Sequence, residues 1–178
     1  MSDKPWLSEP DSLDWTDEKT GFHVRMRRGP MGAWCCYVGI VVGHPWFGLG
    51  YGTEVTAPKA FLERPVDIDQ IGVVNVFIGA LKTRDAPDRF EIASLARCHG
   101  GLTYAADHPG GSDGEKDGRW WFGFDCSHAG DLIPKFADEP YPLSPSADDV
   151  YRDVEYVKVA AAMLCADLFL VQKEALKT

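Results

Sequence analysis

The sequence predicts an α+β fold: a mainly antiparallel sheet of two hairpins plus extra strands, covered by a long C-terminal helix. Three observations carry that expectation. Side chains alternate apolar and polar from Phe22, two strand-like segments flank a polar, Gly-rich stretch at 107–118, and an apolar stripe of helical period closes the chain. Of the 178 residues, 45% are hydrophobic and 25% charged, the mixture of one soluble globular domain rather than of a disordered or fibrous chain. No apolar run approaches the ~18 residues of a membrane span, and the acidic, polar first ten residues lack the pattern of a signal peptide. A cytoplasmic protein without membrane association is the resulting expectation.

Residues 1–20 hold six acids and two bases and read as an acidic N-terminal tail on a single α+β domain spanning 21–178. Trp6, Leu7, Leu13 and Trp15 are available to pin the tail to the body. Phe22, Val24 and Met26 share one face of a half-buried strand, with His23, Arg25 and Arg27 on the other. The turn residues Gly29-Pro30-Met31-Gly32 and the apolar run Ala33 to Val42 complete an antiparallel hairpin. Gly43-His44-Pro45 ends it, and Trp46 to Gly52 is a glycine-and-aromatic loop of the kind that often forms binding surfaces. Ile71 to Ala80 suits a buried strand, with a short helix as the alternative, and Phe90 to Cys98 is equally ambiguous. Gly101 to Ala105 and Arg119 to Asp125 pair as a second hairpin across an exposed loop, Asp107 to Gly118.

Val150, Val154, Val157, Ala161, Leu164, Leu168 and Val171 then recur at steps of four and three, the stripe of an amphipathic helix. Ser146 and Asp149 resemble a capping box at its start, and Lys173 and Lys177 suit its negative end. Such a stripe must be buried, either on the sheet or against a second copy in a homodimer.

Charge and cysteines exclude several function classes. The net charge is -9 and the pI about 4.9, yet residues 21–137 are nearly balanced, with thirteen acids and twelve bases. A general nucleic-acid binder needs a dense field of Lys and Arg, which is missing. Cys35, Cys36, Cys98, Cys126 and Cys165 form no Cys-x-x-Cys pair and read as reduced, mostly buried thiols. No phosphate-binding P-loop, dinucleotide fingerprint or His-Glu-x-x-His motif is present.

The segment Trp120 to Asp131 is the most suggestive for chemistry. On a strand, Trp121, Gly123 and Asp125 share a face, Gly123 opening space beside Asp125. The small residues Ser127, Ala129 and Gly130 then let the side chains of Asp125, His128 and Asp131 converge at the strand's end. Two carboxylates and an imidazole so placed can hold a divalent metal or divide acid and base work. The alternative is that both aspartates bond loop amides and His128 is structural. His99-Gly100-Gly101 permits close backbone approach and offers open amides to an anion, with Thr103 beside them. His44, His99 and His128 each sit at a loop–strand junction, so junctions meeting at one sheet end would make a multi-histidine site. Arg25 and Arg27 could hold a phosphate or carboxylate in their bidentate forks, and Trp121 could stack on a ring.

Tyr37 to Ile40, Gly43 to Pro45, His99 to Tyr104, Trp120 to Asp131 and Tyr151 to Val157 together carry a resemblance. In these motifs the sequence resembles a family of small phage and prophage proteins. The resemblance implies a phage-linked protein and groups His44, His99, Asp125, His128 and Asp131; it names no reaction. From the polar His/Asp pocket, the expected function is metal-assisted or acid–base hydrolysis of a small phosphorylated or otherwise anionic substrate. In that reading His99, His128 and Asp125 are metal ligands or proton carriers, Asp131 orients them, and His44, Gly100, Gly101, Thr103, Trp121, Arg25 and Arg27 contact the ligand. Two alternatives stand beside it: a non-catalytic protein that sequesters a small metabolite or nucleotide, and an interaction module using the acidic segments 1–20 and 138–155.

Overall fold

The computed structural model describes residues 4–65, 68–72, 76, 88–110, 115–139 and 145–177. The chain runs β1 (Ser12–Thr16), β2 (His23–Arg28), β3 (Trp34–Ile40), β4 (Glu54–Thr56), α1 (Lys59–Leu62), α2 (Ile68–Ile71), β5 (Arg89–Glu91), α3 (Ile92–Leu95), β6 (Tyr104–Ala106), β7 (Trp120–Asp125) and α4 (Val154–Ala175). Among the described residues, five antiparallel strands form the main sheet in the order β1-β2-β3-β7-β6, and β4 pairs with β5 in a second. With the long C-terminal helix this is an α+β fold, and both expected hairpins are present.

The period-two pattern decides which way the sheet faces. Val24 and Met26 of β2, Trp34, Cys36, Val38 and Ile40 of β3, and Phe122 and Phe124 of β7 are all buried on one side. Helix α4 lays Val157, Ala161, Leu164, Leu168 and Val171 on that side, so the apolar stripe is buried within the chain. Each such side chain removed from water contributes roughly 1.5–3 kcal/mol. The opposite side carries rows set by the strand register: Ser12, Arg27, Cys35 and Asp125, then Asp14, Arg25, Tyr37, Gly123 and Tyr104. That second side is partly covered, because Pro109 and Gly110 are buried. A Cβ on Gly110 would lie 2.2 Å from the Tyr37 hydroxyl, so only glycine lets the backbone approach this closely.

Several expectations need correction. The N-terminal segment is no separate tail, since β1 pairs with β2 along its whole length. Leu13 and Trp15 pack against the core and Trp6 against Tyr151, whereas Leu7 is exposed. The run from Ala33 leaves the sheet after Ile40, and Val41 and Val42 are exposed in a turn. Helix α4 begins after Asp153, whose carboxylate accepts from the Tyr156 amide at 2.8 Å. Asp149 bonds the Ser146 amide in a local turn instead, and Val150 is exposed. The Phe90–Cys98 stretch is both things in turn, with β5 passing into α3. Ile71 ends α2, and most of the stretch from there to Ala80 lies outside the described residues. The 107–118 loop is not simply exposed, as Pro109 and Gly110 show. No described helix is long and apolar enough to cross a membrane.

Candidate functional site

His99 reaches the site because α2 holds the backbone on either side of it: the Cys98 amide donates to the Gln70 carbonyl at 2.8 Å and the Gly100 amide to the Asp69 carbonyl at 2.9 Å. His128 and Asp131 come from the turn after β7, closed by the Asp131 amide donating to the His128 carbonyl at 3.0 Å with Gly130 at positive φ. Backbone bonds between 130–132 and Val150 then fasten this turn to the approach to α4. The approach to α4 adds Arg152, two residues before the helix begins, and its first turn adds Tyr156.

Asp131 is the centre of the cluster. Its side chain is 1% exposed. Oδ2 accepts from the His99 ring at Nε2, 2.7 Å away, and from the His128 amide at 3.0 Å. Oδ1 accepts from Arg152 Nε at 2.8 Å, and His128 Nδ1 stands 3.7 Å from Oδ2. Burial pushes this carboxyl up, but the His128, His99 and Arg152 side chains and the His128 amide outweigh it and hold the group far below the usual carboxylate range. Asp131 also raises His128, against the opposing effect of burial, with Asp125 adding to the rise.

With Nε2–H of a neutral His99 donated to the carboxylate, Nδ1 becomes the acceptor for the Tyr156 hydroxyl at 2.9 Å. His99 is 7% exposed, whereas Tyr156 is 38% exposed and the His128 side chain 31%. Tyr156, His128 and Arg152 are therefore the side chains that face solvent at the cluster, with His99 behind them. The Arg152 guanidinium lies 4.8 Å from the centre of the Tyr156 ring. Burial raises the Tyr156 hydroxyl, keeping it protonated and able to donate.

Among the described residues, His99, His128 and Asp131 form the one group of three whose donor atoms, all within 4.8 Å of one another, could hold a metal ion. Two donors each about 2 Å from a transition metal sit roughly 3 Å apart, so small side-chain shifts complete the triangle. His128 Nδ1 is buried without a hydrogen-bond partner among the described residues, which suits a donor kept for a ligand. Gly100 makes the triangle possible. A Cβ there would lie 2.5 Å from His128 Cε1, and the residue has φ +65°.

The structure brings His99, His128 and Asp131 together and leaves other expected site residues elsewhere. Asp125 is a turn cap: Oδ1 takes the Ser127 amide and hydroxyl, and Oδ2 takes the Thr103 hydroxyl at 3.0 Å. In the group whose donor atoms could hold a metal, Asp131 stands where Asp125 was expected. His44 is buried, with Nε2 on the Leu168 carbonyl at 2.9 Å and Nδ1 accepting from the Trp46 amide at 3.0 Å. It ties the end of β3 to α4. The Gly100 amide is spent on Asp69, and the Gly101 amide faces the Cys98 sulfur. Trp121 is buried on the second side of the sheet with its indole N–H on Asp117, and Arg25 pairs with Asp14 above it. The space expected beside Gly123 is filled by Tyr37, whose Cδ1 would be 2.5 Å from a Cβ at that position. Arg27 lines a cavity on that same side. Arg152 and Tyr156 were not anticipated as site residues, although both stand in the Tyr151–Val157 motif.

Comparison with protein-family models, with curated proteins and with solved structures gave no match.

Proposed function

We propose that this chain is a divalent-metal-assisted hydrolase of small anionic, phosphorylated substrates, with His99 Nε2, His128 Nδ1 and Asp131 as the metal donors. The carrying observation is the convergence of these three donors from two separate segments around a buried carboxylate, with His128 Nδ1 in no hydrogen bond among the described residues and Asp131 Oδ2 3.7 Å away. The surroundings fit: the Tyr156 hydroxyl can accept from His99 Nδ1–H once Nε2 turns to a metal, and Arg152 orients Asp131 through Oδ1. A divalent ion there would polarise a substrate oxygen and supply a water nucleophile near neutral pH. Arg152 offers charge to the anion. In hydrolysis the attacking water would lose a proton to solvent while the leaving oxygen gains one, and the Tyr156 hydroxyl is the accessible group that can donate it. A phage-linked origin, which the motif resemblance implies, belongs to the same proposal, as does a cytoplasmic setting, supported by five free cysteines.

A metal-free reading rests on the Tyr156–His99–Asp131 chain of hydrogen bonds, in which His99 serves as the base for the tyrosine. Metal titration of protein purified without tag or chelator separates the two. The proposal expects one equivalent of Zn²⁺ or Mn²⁺ bound, about tenfold to a hundredfold weaker binding in His128→Ala with an unchanged circular dichroism spectrum, and chelator-sensitive cleavage within a panel of phosphate esters. Absence of binding in the wild type, or equal binding in the variant, overturns the metal; chelator-resistant cleavage lost in Tyr156→Phe would support the relay instead.

A further inference from the structure

Helix α4 is apolar on more than the face it lays on the sheet. Between Val159 and Val171 its one charged residue is Asp167, buried against Arg64 and Arg97, and no hydroxyl or amide side chain occurs. A surface helix ordinarily turns charge to water, whereas one that is apolar all round is covered on every side. Here the outward side is open: Val159 is 63% exposed, and Ala162 and Ala166 are exposed with it. Glu155, Val159, Ala162, Ala166, Phe169 and Lys173 follow one another at steps of four and three, the spacing of a coiled-coil seam. This stripe stands opposite the one that Val157, Leu164, Leu168 and Val171 bury. Its apolar middle is closed by an acid at the N-terminal end and a base at the C-terminal end.

We propose that this outer stripe is a dimerisation seam, on which a second copy of the chain packs its own α4 antiparallel across a two-fold axis at the level of Leu164. That axis sets Ala162 of one copy against Ala166 of the other, Val159 against Phe169, and Glu155 against Lys173, each pair occurring twice. The paired alanines let the helix axes approach to about 8 Å. Charge fixes the direction. A parallel pair would oppose Glu155 to Glu155 and Lys173 to Lys173, whereas the antiparallel pair matches opposite charges at both ends. Within one chain Glu155 bonds Lys158 through Oε1 and the Lys173 ammonium lies over the Phe169 ring, so both charges are held beside the stripe. The seam runs about 27 Å from Glu155 to Lys173. That is short for a permanent interface, so association in the micromolar range is expected. Tyr156 stands about 100° further round the helix than Glu155, so the seam is separate from the His99 cluster and does not depend on the metal.

Sedimentation equilibrium of the full chain from about 1 to about 200 μM tests the seam. The expected result is a reversible shift from 19.7 kDa to twice that mass. Ala162→Glu and Ala166→Glu each place a good helix former at an exposed position, and each should weaken association at least about tenfold while the dilute protein keeps its melting temperature. Glu155→Lys and Lys173→Glu should each weaken it about fivefold. The double variant should regain most of that loss, because the swap restores both opposite-charge pairs. A single 19.7 kDa species up to the highest concentration overturns the seam, as does a dimer that both alanine variants leave intact. A dimer indifferent to either charge reversal, or weaker in the double variant than in the single ones, overturns the antiparallel packing.

Discussion

Asp131 and Asp125 are six residues apart with the same chemistry, and their surroundings give them different work. Asp131 answers two imidazoles, one amide and one guanidinium from a position nearly closed to water. Asp125 answers a serine and a threonine at the end of a strand. Gly100 is the third residue on which the site turns. Gly100→Ala is expected to destabilise the fold by about 1–3 kcal/mol, because alanine is strained at φ +65° and its methyl overlaps the His128 ring. Chemical unfolding measures the loss. Loss of metal binding beyond that of a control variant of equal stability would trace it to His128. At this scale the sequence shows the participants better than the assignments. Histidine beside two glycines and the Asp-x-x-His-x-x-Asp spacing mark the right turn. The choice between the aspartates depends on Arg152, twenty-one residues on, and local spacing contains no sign of it.

At the scale of elements, helix α4 was legible and its beginning was not. The stripe from Val154 to Val171 follows from helical period alone. Its start depends on Glu9, from the far end of the chain, whose Oε1 accepts from the Val154 amide at 3.1 Å while Oε2 takes Arg28, Tyr151 and Trp34. Two carboxylates, those of Glu9 and Asp153, therefore satisfy amides in the first turn. Burial pushes the Glu9 carboxyl up, but hydrogen bonds from Tyr151, Val154, Trp34 and Arg28 outweigh it and lower it from 4.5. A carboxyl depressed in the folded state stabilises above its unfolded value, and that stability is lost as the pH falls through the folded value. Glu9→Gln should thus melt lower than the wild type at neutral pH, by about 1–2 kcal/mol, with the gap closing below about pH 4. Parallel melting curves across that range would show that Glu9 caps nothing. The same dependence explains why composition misplaces residues 1–20: acidity alone reads as solvation, whereas one of those acids is a cap and five neighbouring residues are a strand.

Over the whole molecule, one buried cluster joins α4 to the segment inserted between β3 and β6. Asp167 is 1% exposed and takes both oxygens to Arg64 at 2.8 Å and to Arg97 through its amide, Nε and an Nη. Burial lowers the Arg64 guanidinium, and Asp167 offsets only part of that fall. Removing one partner from such a cluster leaves buried charge uncompensated, so Asp167→Ala is expected to cost about 3–5 kcal/mol, read by chemical unfolding. A loss below 1 kcal/mol would mean that the two arginines find water readily. The general architecture was legible, since hairpins and helix follow from periodicity and turn residues. The cluster was not, because an Asp in a helical stripe position looks like an interruption until its distant arginines are known.

The strand order has a further consequence, for the time course of folding. β1, β2 and β3 are neighbours in the chain and leave the ribosome together, whereas β3 pairs with β7 only after residue 120 has been made, and Glu9 waits for Val154. Contacts this distant in sequence form late, since the intervening chain must first be drawn in. Until then the nascent meander carries an open inner edge, from Trp34 to Ile40, rich in apolar residues. Slower synthesis lengthens that exposure, and the soluble yield of this protein is therefore tied to how soon the segment from Trp120 onward arrives.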